Sequence, residues 1–315
     1  MELPPALRRV VDTALAGIPL AALAGASQAL SQRYRGEVRD GRLHLHDDLT
    51  ARAYLATRLP ATYAALRASL DSIAELRPEF APASLLDFGA GPGTALWAAQ
   101  DRWPSLNNAA LIEASPTIRS LGEILAAECA VEHIAWSSAL GTGERRDLVT
   151  LAYVLDELDP ASCDDLVDRL WSLTGDTLLI VEPGTPAGWR RILGARRRLL
   201  DAGAHLIAPC PHEKACPLVA PDWCHFSRRV ARARLHRQAK GGEVPWEDEK
   251  YLYLAVSRHS GPRAKARVIA PAQKGSGKTE LKLCLETGEA KPRLFTRRDG
   301  EAFKTARRAD WGDAL

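Results

Sequence analysis

The stretch Ser84-Leu85-Leu86-Asp87-Phe88-Gly89-Ala90-Gly91-Pro92-Gly93-Thr94 leaves this chain few folds to choose from. A short apolar run ends in an acid, breaks into three alternating glycines and leads into a helical pattern, which reads as strand, ligand loop and helix. Without a Cβ the glycines let the backbone turn tightly and come close to a ligand, and the helix that follows offers unpaired N–H groups in its first turn. A second apolar run closes at Leu111-Ile112-Glu113, 24 residues after Gly89, about where a ribose-binding acid belongs. The competing reading is a turn whose glycines only fit helix to strand. A glycine pattern alone does not decide between them, and Asp87 and Glu113 are what favour the ligand loop.

Asp87 stands just ahead of the first glycine, and Gly89-Ala90-Gly91-Pro92-Gly93 has no third glycine at the dinucleotide spacing. In both respects the motif resembles the class I S-adenosylmethionine-dependent methyltransferases, an α/β Rossmann-like fold. The resemblance implies a cofactor held by Asp87, Gly89, Ala90, Gly91, Gly93 and Glu113, with Glu113 on the ribose hydroxyls. From residue 85 apolar runs alternate with helical stretches, as a doubly wound sheet requires, with further strands at 109–112, 131–136, 147–154 and 177–181. Ligands in such sheets lie beyond the C-terminal strand ends, so Tyr153, Asp156, Glu157, Glu182 and Pro183 are expected at the same crevice, Tyr153 among the cofactor contacts. Asp156 and Glu157 are candidate general bases; equally, with Asp159, Pro160 and Ser162, they begin the next helix, where acids complement the dipole. No Asn/Asp-Pro-Pro-aromatic sequence follows the fourth strand, which leaves the target atom open.

A chain of 315 residues exceeds one average domain. We expect a helical N-terminal region (1–80), a methyltransferase-like domain (81–260) with a cysteine-rich insertion at about 205–226, and a β-rich basic extension (261–315). Arg8-Arg9 precede an uncharged run from 13 to 32, but Asp12, Pro19 and the polar Ser-Gln-Arg-Tyr-Arg that follows argue against a signal peptide. The expectation is a cytoplasmic protein that does not meet a membrane. Residues 49–76 carry apolar side chains at helical spacing, restarted at Pro60. Charge is divided unevenly: residues 1–189 hold 15 Lys and Arg against 25 Asp and Glu, and residues 190–315 hold 27 against 14. Such a C-terminal part suits a polyanion. Helices are expected at 187–204, with Arg196, Arg197 and Arg198 as phosphate contacts, and at 227–240, with five more arginines.

Between those two stretches lie Cys210, Cys216 and Cys224 in a proline-stiffened loop, and Cys284 follows in an alternating strand pattern. Cys129 and Cys163 fall in helices of the sheet region and read as ordinary buried cysteines. A disulfide framework is not expected without a secretion signal. Thiolate ligation is the remaining chemistry; gaps of five and seven residues are wider than the usual zinc pairs, and spacing leaves zinc and an iron–sulfur cluster both open.

The order Asp87-Phe-Gly-Ala-Gly-Pro-Gly, then Glu182-Pro-Gly-Thr-Pro-Ala-Gly-Trp189, then Cys-x5-Cys-x7-Cys with a distant fourth cysteine resembles the methyltransferase-like small-ribosomal-subunit assembly factors of mitochondria and their bacterial relatives. The likeness extends to residues 30–35, 53–60 and 306–312. It implies a [4Fe–4S] cluster on Cys210, Cys216, Cys224 and Cys284 and association with the small ribosomal subunit, with no DNA partner and a monomeric chain expected. Two functions share this fold: methyl transfer to small-subunit ribosomal RNA, and a non-catalytic RNA-binding assembly factor that keeps the cofactor pocket. Gly275-Ser-Gly-Lys-Thr279 looks like a phosphate loop, but Ala272 replaces its first glycine and a strand pattern follows, so a hairpin turn is expected. Lys274, Lys278 and Lys282 are then candidates for RNA backbone contacts, with Arg293, Arg297 and Arg298.

Overall fold

The computed structural model describes residues 1–36 and 44–315. Five strands run parallel in one sheet: β1 (Ser84–Phe88), β2 (Asn108–Ile112), β3 (His133–Ser137), β4 (Arg146–Ala152) and β5 (Thr174–Pro183). Three more join its far side: β6 (His205–Ala208), β7 (Phe226–Ala231) and β8 (Trp246–Ser257). The order is β3-β2-β1-β4-β5-β8-β6, with β8 antiparallel to β5, β6 and β7. Leu148, Val149, Leu151 and Leu178–Val181 are all buried, as the inner strands of a two-sided sheet demand. The chain winds outward from β1 through β2 to β3 and returns to β4. That reversal opens a crevice beyond the ends of β1 and β4.

Helices α1 (Pro5–Leu15), α2 (Leu20–Arg35), α3 (Asp48–Thr57) and α4 (Leu59–Leu76) precede the sheet, and their apolar sides join its core through Leu7, Leu23, Leu30, Leu55, Leu66 and Leu70. The break between α3 and α4 falls at Arg58, just ahead of Pro60, where a ring without an N–H suits a first helical turn. The uncharged run is helical: no single helix among the described residues is long and apolar enough to cross a membrane, and α1 and α2 are bent by 110° from one another. Along the sheet follow α5 (Thr94–Arg102), α6 (Pro116–Ala126), α7 (Pro160–Ser172) and α8 (Pro186–Asp201).

The helix expected at 227–240 is not formed as such. Phe226–Ala231 is β7, and only the short α9 (Arg234–Ala239) is helical. The arginine-rich stretch turns Phe226 and Val230 inward and fills the edge of β8, so strand pairing overrides local propensity. After β8 come β9 (Ala266–Val268), β10 (Gln273–Gly275), β11 (Lys278–Leu285), β12 (Ala290–Thr296) and α10 (Glu301–Arg308). β9, β10 and β12 all pair with β11, and Val268, Leu281, Leu283, Phe295, Phe303 and Ala306 form a core of their own. The phosphate-loop lookalike is a hairpin turn, with Gly277 at φ 70°.

Candidate functional site

The crevice beyond β1 and β4 holds about 1190 Å³. Gly89, Gly91, Glu113, Tyr153, Asp156 and Glu157 all line it. Gly89 sits at φ 70° and a Cβ there would come within 2.3 Å of Val154 Cγ2, so strand and loop close on one another only through glycine. Gly91, at φ 53°, has open space where a Cβ would be. Glu113 is fixed by the loop it serves: its carboxylate accepts the Gly91 N–H and the Ser115 N–H, each at 2.8 Å. Burial pushes its carboxyl up and the Ser115 and Gly91 donors pull it down. Each oxygen keeps a lone pair for a diol hydroxyl.

Asp87, Ala90 and Gly93 are not part of the crevice lining. Ala90 is buried, and Gly93 caps α5 with Trp136 3.6 Å from where a Cβ would stand. Asp87 lies under the loop and accepts the Thr150 hydroxyl at 2.7 Å. Burial pushes Asp87 up to about 7, and the Thr150 hydrogen bond only partly opposes it. A buried acid raised in the folded state stabilises the fold below its unfolded pKa and loses that contribution as pH rises through about 7. Asp87→Asn is therefore expected to flatten the profile, so that between pH 5 and 9 wild type loses on the order of 2–3 kcal/mol more than the variant. Urea unfolding across that range measures it; parallel profiles would refute it.

Deeper in the wall Glu182 is fully buried and accepts Arg191 Nε at 2.6 Å. Burial and the neighbouring Asp156 push Glu182 up to about 8. Burial pushes Glu157 up to about 8 too, helped by Asp156, Glu113 and Glu182, and His44 Nε2 stands 3.9 Å from it. The opposite wall comes from residues that motif reading did not single out. Tyr34, Tyr54 and Arg58 reach in from α2, α3 and the α3–α4 junction, and Glu249 from β8. Arg58 meets both Glu249 oxygens at 3.3 and 3.4 Å, and the Tyr153 hydroxyl donates to Glu249 at 3.1 Å. Tyr153 is the only non-glycine among the described residues with positive φ, at 59°.

Cys210, Cys216, Cys224 and Cys284 line a second, smaller cavity of about 40 Å³, and neither Cys129 nor Cys163 reaches it. Among the described residues no three His, Cys, Asp or Glu side chains stand close enough to hold one metal ion. Burial raises the Cys210 and Cys224 thiols and pushes Cys284 up to about 12, with the other cysteines adding to it. His212 Nε2 lies 3.5 Å from Cys284 Sγ. The loop is tied to the C-terminal strands by Arg267 Nε on the Pro209 carbonyl at 3.0 Å, Lys214 Nζ on the Thr287 carbonyl at 2.9 Å, and a Lys282–Asp222 pair.

Arg196, read from sequence as a phosphate contact, is instead buried, donating to the His212 and Lys214 carbonyls at 2.8 and 2.7 Å. Arg198 clasps Asp168 at 2.6 Å through two nitrogens. Lys274 pairs with Asp310 and Lys282 with Asp222, so part of the positive charge is answered within the chain. Helix α8 serves both cavities: Pro186, Ala187 and Arg190 face the crevice, while Trp189, Ile192 and Arg196 wall the cysteines.

Residues 48–315 match the model of the family described as mitochondrial small ribosomal subunit Rsm22. The human ribosome assembly protein METTL17, mitochondrial, is 30% identical over 286 residues, covering 83% of this chain and 61% of that protein. The fission yeast (Schizosaccharomyces pombe) Rsm22-cox11 tandem protein 2, mitochondrial, is 23% identical over 330 residues, covering 83% of this chain and 42% of that one. The chain thus spans about four- to six-tenths of the length of these relatives. Among solved structures, an O-methyltransferase family protein from Burkholderia thailandensis superposes with a TM-score of 0.47 at 16% identity, over 77% of this chain and 73% of that one. Magnesium protoporphyrin IX methyltransferase from Synechocystis, solved with S-adenosylmethionine, gives 0.42 at 13%, over 73% and 91%. The sheet order and the glycine loop are those of the class I methyltransferase fold. By the match over most of its length, this chain belongs to the Rsm22 family of mitochondrial small ribosomal subunit proteins and their relatives.

Proposed function

We propose that this protein binds S-adenosylmethionine in the crevice, carries a [4Fe–4S] cluster on Cys210, Cys216, Cys224 and Cys284, and methylates small-subunit ribosomal RNA during ribosome assembly. The observation that carries the cofactor is Gly91: its open side faces the crevice next to Glu113, whose two oxygens are already aimed by backbone donors. Four thiols on one cavity fit a thiolate-held group in number and chemistry, and the ties between loop and C-terminal strands fit a site that joins them. Bound there, the cofactor supplies an electrophilic methyl group. Asp156 and Glu157 on the crevice wall would take the proton an acceptor loses, Glu157 being raised toward the working range of a general base. A cytoplasmic monomer that does not engage DNA, built from the three segments divided near residues 80 and 260, completes this reading.

Transfer of tritiated methyl from labelled cofactor to small-subunit RNA or particles tests it, with Gly91→Arg as the control. Particle binding without transfer would support the non-catalytic assembly factor instead. RNA affinity is expected to fall steeply with salt, since each phosphate contact releases counterions. With Arg196 and Arg198 occupied in the fold, the exposed Arg293, Arg297 and Arg298 are the informative targets. Reversing each to Glu should flatten the log–log salt slope by about 0.7–0.9 per contact, equally for all RNA sequences. An unchanged slope would make this face ordinary solvated surface.

A further inference from the structure

We propose that the half of the crevice walled by Tyr153, Glu249 and Arg58 is a subsite for an unpaired nucleobase bearing an amino group: adenine, cytosine or guanine, and not uracil. The inference rests on the reading of the crevice as a cofactor site with an RNA acceptor. The crevice, at about 1190 Å³, is larger than the roughly 300–1,000 Å³ usual for one bound small molecule. Its glycine-loop end accounts for a cofactor and leaves the Glu249 end to a second ligand.

Three observations give that end its chemistry. Glu249 is a carboxylate with capacity in hand: Arg58 and Tyr153 supply three long contacts of 3.1 to 3.4 Å, against about four lone-pair sites on an ionised carboxylate. Its charge is answered by Arg58, which meets both of its oxygens. What it offers a ligand is an acceptor, which suits an exocyclic amino group and repels the two carbonyls that flank the single N–H of uracil. Second, Tyr34 and Tyr54 line the same crevice as Tyr153, giving aromatic surface of the kind that holds a base taken out of its stack. Third, Tyr153 keeps a bulky side chain at φ 59°, a conformation that costs energy and survives only where the surroundings hold it. The Tyr153 N–H on the Val181 carbonyl at 2.8 Å and its hydroxyl on Glu249 do so, which fixes the carboxylate against the crevice. The exposed Arg190 and Lys250 also line the crevice and offer positive charge to a nucleotide's phosphate.

The test is titration of the cluster-loaded protein, saturated with S-adenosylhomocysteine, with AMP, CMP, GMP and UMP, followed by NMR. At least one amino-bearing nucleotide is expected to bind about tenfold or more tightly than UMP, as one good base-edge contact implies. Glu249→Gln, which can donate as well as accept, should bring that ratio to about twofold or less, and Tyr153→Phe should weaken binding of the preferred nucleotide. Cofactor binding, measured on the same preparations, reports whether each variant is folded at the crevice. Cofactor binding with UMP as tight as the rest, or with none of the four bound, overturns the subsite alone. Failure of wild type to bind cofactor overturns the proposed function and the subsite with it.

Discussion

Cys284→Ser is expected to leave the anaerobically purified protein colourless, where wild type should be brown with broad absorption near ~400 nm from thiolate-ligated iron and sulfide. The effect should be all or none because the fourth ligand comes from a strand far along the chain. Cys210, Cys216 and Cys224 belong to one loop, whereas Cys284 lies on β11, and all four line the same cavity. A group bound by both segments closes a long loop, and its binding energy is folding energy. Loss of one thiolate should therefore loosen the loop and the C-terminal strands together, at a cost of several kcal/mol, leaving polar ties such as those of Arg263, Arg267, Lys214 and Lys282. Hydrogen exchange in the two segments measures this. Cys129→Ser and Cys163→Ser should keep the colour, since neither lines the cavity. Stoichiometric zinc without acid-labile sulfide would replace the cluster while keeping the ligands; colour retained in Cys284→Ser would remove Cys284 from the set.

The sheet was legible because its inner strands are buried on both faces and therefore read as apolar runs, each closed by a turn or an acid. The loop was legible for a different reason: positive φ at Gly89 and Gly91 excludes most side chains, so the conformation writes itself into the residues. Glu113, 24 residues on, proved to be bonded to that same loop. Charge was a poorer guide. A row of arginines reads alike whether it faces solvent, an ion pair or a buried carbonyl, and Arg196, Arg198 and Arg232 turned out to have partners inside the fold. The stretch at 226–231 was misread because pairing with β8 is a non-local fact with no trace in local spacing. Arg58 and Glu249 escaped notice because they are 191 residues apart, and nothing local to either names the other as its partner. Tyr54 and Arg58 lie within the residues that match the family, whereas Tyr34 precedes them, so the likeness carried part of the site before its geometry could explain why.

Gly91→Arg is expected to abolish S-adenosylmethionine binding, a loss of at least a hundredfold in affinity, while leaving the sheet folded. Gly91 differs here from Gly89. A side chain on Gly89 would drive into Val154 at 2.3 Å and would confuse unfolding with loss of the site, whereas nothing lies within 4 Å of a Cβ on Gly91. The backbone cost of placing a non-glycine residue at φ 53° is about 1–2 kcal/mol, small against the stability of a domain. The long cationic side chain would occupy the crevice that a cofactor needs and meet Glu113, whose carboxylate holds the Gly91 N–H at 2.8 Å. A ligand that binds only the folded state raises stability by about 2.7 kcal/mol at a hundred times its dissociation constant, so wild type should melt several degrees higher with cofactor and the variant should not move. Glu113→Ala should fall between the two, because it removes the ribose acceptor and frees the loop without filling the space. A cofactor-induced shift in Gly91→Arg equal to that of wild type would place the ligand elsewhere; no shift in wild type would deny the crevice this cofactor altogether.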